Sequence, residues 1–209
     1  MKKNFLWMIA AILICGTLTT VFTACGSSSD DDTPSTSANT YEVTLAAILP
    51  RVSAPYLQLQ LKYVDADGKT ETVVVKEGDQ SQTMNDATMI LYKSLTNTYR
   101  LSPEYIQLLD DVIVRNVKLR VPAGKSFSFV GTIVSRTDFE KPSGKVTIIQ
   151  PCVISTGKRI SGNSEDRSEL ATNGSMNVIA NFGISADNLM TLVSRWNGRE
   201  VCTGDVTMK

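Results

Sequence analysis

Ser155 and Lys158 stand three apart in "ISTGKR", the S-x-x-K spacing in which a lysine activates a nucleophilic serine. Enzymes built on that pair set the serine at a helix start and carry a second motif far downstream. Here Ser161-Gly-Asn163 follows almost at once, K-T-G is missing, and the surroundings read as strand into loop. A serine hydrolase therefore stands only as an alternative. The chain has no histidine, which removes Ser-His and Cys-His nucleophile pairs, most zinc sites and the commonest general base. No catalytic residue, metal ligand or cofactor is assigned.

Other short patterns read as turns. Gly68-Lys69-Thr70 and Gly124-Lys125-Ser126 end like phosphate-binding loops, but Tyr63 and Leu119 occupy the place of the first glycine. Asp65-Ala-Asp67-Gly68 hints at a calcium loop, yet in that register Tyr63 takes the first ligand position and Val74 the last. Asn173-Gly-Ser175 fits a glycosylation sequon and reads as a polar turn. Tyr56, Tyr92, Tyr99 and Trp196, with Tyr105, are the side chains able to form a stacking platform for a sugar.

The elements that must position these residues are mostly strands. In "YLQLQLKYV" Leu57, Leu59, Leu61 and Tyr63 share one face and Gln58, Gln60 and Lys62 the other. Asp67-Gly68 marks a two-residue hairpin before "TETVVVK". "NVKLRV" and "SFSFV" alternate in the same way around Pro122-Ala123-Gly124. Tyr41 to Ala47, Thr88 to Tyr92, Val146 to Ile154, Met176 to Phe182 and a segment around Val201 complete the expected strands. Two helices are expected, one from Ser102-Pro103-Glu104 and one from Ser185 to Trp196. Gly157 to Ser175 reads as a long loop, and apolar-Ser-small echoes at 52, 101 and 184 hint at repeats. The pattern predicts a mainly β domain over 41–209, an antiparallel immunoglobulin-like β-sandwich with two short helices, or alternatively a lipocalin-like β-barrel.

The chain opens with Lys2 and Lys3, an apolar run to Ile14, and the small residues leading to Thr23-Ala24-Cys25. That is the order of a secretory signal over 1–24. Thr23-Ala24-Cys25 resembles the lipobox of bacterial lipoproteins, and Ser27 to Asp32, with its three aspartates, resembles the acidic surface-export tail of Bacteroidetes-type lipoproteins. The resemblance implies lipidation of Cys25, a disordered leash over 25–40, and an outer-membrane anchor facing the cell exterior. It is limited to this terminus and says nothing of activity. Cys152 and Cys202 then remain as a pair; in an exported protein they form a disulfide or lie buried as free thiols.

Charge adds no partner. The 21 basic and 21 acidic residues balance, leaving no basic footprint for nucleic acid. The resulting expectation is a noncatalytic binding or assembly module, held at the membrane by its N-terminal lipid and meeting a protein or glycan at the cell surface. A glycan-binding accessory of an outer-membrane uptake system is the second expectation.

Overall fold

Alternation of apolar and polar residues decides which face each strand buries. The computed structural model describes residues 39–96, 103–160 and 179–208, all within one unit, Thr36–Lys209. Its strands are β1 (Thr40–Pro50), β2 (Leu57–Val64), β3 (Thr70–Val75), β4 (Val112–Pro122), β5 (Ser126–Ser135), β6 (Val146–Ile149), β7 (Cys152–Arg159), β8 (Ala180–Ile184) and β9 (Glu200–Thr207). Helices α1 (Asp86–Thr96), α2 (Pro103–Asp110) and α3 (Ala186–Trp196) join a short 3-10 turn at Arg51–Ser53.

The strands form three antiparallel sheets, ordered β4-β1-β7, β3-β2-β5-β9 and β6-β8. None closes on itself, so the barrel expectation is corrected: both larger sheets end in edge strands, and their apolar faces are buried against each other rather than around a lumen. Val43, Leu45, Ala47 and Leu49 of β1 meet Leu57, Leu59, Leu61 and Tyr63 of β2 in one core, with Phe127, Phe129 and Ile133 of β5. At this seam Gly131 of β5 lies so close to β7 that an added Cβ would sit 2.5 Å from Val153 Cγ2. Leu189, Val193 and Trp196 of α3 join the same core.

The three-stranded sheet is covered on its other face as well. Ala46, Ile48, Val114, Cys152 and Ile154 pack beneath Tyr92, Leu91 and Leu95 of α1. This double burial explains why the centre of β1 reads as an unbroken apolar run rather than an alternation.

Several expectations change in detail. Thr88 to Tyr92 lies within α1, not a strand. Asn85 Oδ1 accepts from Thr88 N at 2.7 Å, which caps the helix and satisfies a free first-turn amide. Val146 to Ile154 is two strands, broken at Gln150-Pro151 because proline has no N–H for a ladder. Of Met176 to Phe182, only Ala180 onward is described as strand. Residues 157–159 of the expected loop belong to β7, and 161–175 lie outside the described residues. The first hairpin turns over Ala66-Asp67-Gly68, since Asp65 N donates to Lys69 O and Gly68 adopts φ +81°. Asp65 Oδ1 accepts from Asp67 N and Lys69 N, so this carboxylate organises the turn.

Candidate functional site

Outer-face rows of the three-stranded sheet follow from register. Moving away from α1, the β4-β1-β7 rows read Val114-Ile48-Cys152, Asn116-Ala46-Ile154, Lys118-Thr44-Thr156 and Arg120-Glu42-Lys158. The first two rows lie largely under α1, while the polar ones extend beyond its first turn. There a cleft of about 570 Å³ opens, floored by Glu42, Thr44, Asn116, Lys118, Thr156 and Lys158 and walled by Thr83 to Ala87.

Its wall is fastened by side chains. Asn85 Nδ2 donates to Thr156 Oγ1 at 3.3 Å, and Asn116 Nδ2 donates to Thr83 O at 2.9 Å. These bonds hold the helix start against the sheet. On the floor, Lys158 Nζ lies 3.5 Å from Glu42 Oε1. Among the described residues Lys118 makes no ion pair, and the buried Asn116 Oδ1 has no donor. The cleft therefore holds, among the described residues, an ammonium group without an ion-pair partner and an acceptor without a donor, with the Asp86 carboxylate at the start of α1 also in its lining. It suits hydrogen bonding to a polar ligand; its lining includes no aromatic ring.

The residues singled out in the sequence are scattered. Tyr92 is only 3% exposed and its hydroxyl donates to Leu109 O at 2.7 Å. Trp196 is 2% exposed in the central core. Both are corrected from ligand contacts to packing residues, because each fills the seam beneath its own helix. Tyr56 is partly buried and meets Phe139 edge to face, with centroids 5.0 Å apart, away from the cleft. Tyr99 and Cys25 lie outside the described residues, and so does the side chain of Tyr105.

Ser155 and Lys158 do not form a dyad. Three residues apart on an extended strand they point to opposite faces: Ser155 is buried, while Lys158 reaches Glu42 on the outer face. Cys152 and Cys202 are free thiols, which corrects the expected disulfide. Cys152 belongs to the cluster beneath α1 and Cys202 to the core between the sheets. Burial pushes the Cys152 thiol up to about 12 and the Cys202 thiol up to about 11.

Sequence reasoning missed Glu42, Thr44, Asn116, Lys118 and Thr156 as a set. A signal for part of it was present, since Asn116 and Lys118 are outward positions of "NVKLRV". Their juxtaposition with β7 and α1 required the strand order. Among the described residues no group of three or more carboxylate or cysteine side chains could hold a metal ion, and no helix is long and apolar enough to cross a membrane. Comparison with protein-family models, with curated proteins and with solved structures finds no match.

Proposed function

We propose that this chain is a surface-tethered lipoprotein whose folded part is a noncatalytic binding module, with the cleft at the start of α1 as its ligand surface. The observation that carries the reading is the cleft itself: the exposed Lys118 ammonium and an Asn116 Oδ1 with no donor among the described residues, in a concave surface fixed by the Asn85 and Asn116 hydrogen bonds. The tether rests on Cys25 and the acidic run after it. The noncatalytic reading is supported by the opposite orientations of Ser155 and Lys158.

The fold is proposed to follow the immunoglobulin strand plan. Strands β1 and β4 take the places of B and E, while β3-β2-β5-β9 takes the order C′-C-F-G. Strand β7 then occupies the place of A, arriving from later in the sequence, between β6 and β8.

The polar lining favours a ligand rich in hydroxyl groups, so the glycan-binding reading moves from the aromatic residues to this cleft. A glycan array with the wild-type chain and the Asn116→Ala and Lys158→Ala variants tests it. Binding lost in both variants supports the cleft; binding retained in both removes it. For the tether, Cys25→Ser should abolish incorporation of labelled palmitate and release the protein from the membrane fraction, whereas unchanged fractionation would overturn the lipid anchor.

A further inference from the structure

Strand β4 is an edge strand whose outward backbone groups are only half occupied. The segment before α1 serves the first half. Gln82 N donates to Val114 O at 2.9 Å, Ser81 Oγ accepts from Val114 N at 3.1 Å and donates to Val112 O at 3.0 Å, and Gln82 Oε1 accepts from Asn116 N at 2.6 Å. Residues 112, 114 and 116 therefore direct their N–H and C=O groups away from β1. By the alternation of an extended strand, Lys118 and Arg120 do so as well. After Thr83 the chain turns into α1 and leaves the edge. The outward amides and carbonyls of Lys118 and Arg120 meet no described residue.

We infer that the β4 edge from Asn116 to Pro122 is a strand-addition site for an extended peptide of a partner protein, with acidic and apolar residues in alternation. An unpaired edge offers main-chain bonds in register, which supply the affinity of such pairing. Side chains on its two faces set the sequence. On the outer face Lys118 and Arg120 are exposed cations without ion-pair partners among the described residues. On the inner face Val117 and Leu119 remain 8% and 7% exposed, where Leu45 and Leu59 are at 0%. An added strand with carboxylates outward and aliphatic groups inward would neutralise the first pair and complete cover of the second. A second copy of this edge is a poor occupant, because antiparallel self-pairing sets Lys118 and Arg120 against the same cations. Pro122, which lacks an N–H, ends the site.

The inference goes beyond the cleft, and Arg120 tests it because that residue does not line the cleft. The full-length chain in detergent is titrated with a short synthetic peptide alternating glutamate and valine, and amide hydrogen exchange is followed at Lys118 and Arg120. Both amides should exchange freely alone and become protected with peptide. A peptide N-methylated at alternate residues should bind about tenfold more weakly or worse, since it loses main-chain bonds. Arg120→Glu should weaken binding and flatten its salt dependence, since the remaining Lys118 charge is then offset. Arg120→Pro removes the guanidinium and, of the backbone groups, only an outward N–H, so it should retain the native near-ultraviolet circular dichroism and lose more affinity than Arg120→Ala, which keeps that N–H. Absence of binding, equal affinity of the methylated peptide, or protection of both amides before peptide is added would overturn the site. Protection that rises with protein concentration alone would make a second copy the occupant and overturn the acidic partner. None of these outcomes depends on the glycan array.

Discussion

Ser53 shows how one hydroxyl joins two elements. It is fully buried, its Oγ accepts from Ile149 N at 2.7 Å and donates to Ile149 O at 2.7 Å, and it thereby fixes the 3-10 turn to β6. Ser53→Ala leaves both backbone groups of Ile149 unpaired in the interior, and the expected loss is about 1–3 kcal/mol. Urea denaturation measures it; a midpoint equal to wild type would show that water replaces the hydroxyl. Gly131 is the complementary case, in which the absence of a side chain matters. Gly131→Ala forces a methyl group against Val153 and should cost about 1–3 kcal/mol. A Val153→Ala partner mutation should recover part of that loss in a double-mutant cycle, because the conflict is between those two side chains.

Helix α1 carries the element-scale lesson. Its run Thr88 to Tyr92 has the β-branched and aromatic character of a strand, yet the first turn is written as a helix start by Asn85 and Asp86. Thr88, Tyr92 and Thr96 recur at helical spacing and are the buried residues of the element. Cap and period were legible; local propensity obscured them. Asn85→Ala should cost about 1 kcal/mol through the lost cap, and it also removes the bond to Thr156 that holds the cleft wall. Faster hydrogen exchange in the first turn of α1 would follow, and unchanged exchange there would refute the capping role. Strands β2, β4 and β5 were legible because one face of each is buried and the other is polar. The cleft was not, because its floor comes from three strands whose adjacency no local pattern encodes, with β7 brought beside β1 from more than a hundred residues away.

At the scale of the molecule, buried acids link stability to pH. Burial raises the Cys152 and Cys202 thiols to about 12 and about 11, and burial with a hydrogen bond to Glu71 raises Tyr63 to about 12. Burial also raises the Tyr92 phenol. Each group releases its proton at lower pH when unfolded than when folded, so the unfolded state binds fewer protons over the interval between the two values. The contribution of these thiols and phenols to stability should therefore be level below about pH 8.5, the ordinary thiol value, and fall as pH rises toward 12. Thermal unfolding from pH 7 to 11 checks the sign; a rising midpoint would contradict it. The same burial predicts that neither thiol reacts with iodoacetamide in the native chain and that both react after denaturation. Exposed carboxylates act on the other side: hydrogen bonding to Lys69 and Tyr63 holds Glu71 low, as Lys141 holds Asp187. Their small contribution is present above the ordinary carboxylate range and is lost as pH falls through it.

The central position of β1 has a mechanical consequence. Strand β1 begins at Thr40, and along its length it is paired with β4 at 11 positions and with β7 at 8. Hydrogen bonds in both ladders run across the strand axis, so a pull applied ahead of Thr40 and directed along β1 loads them in shear, all together, instead of peeling them one rung at a time. Under the proposed lipid anchor at Cys25, tension would reach the domain through the strand best braced to carry it.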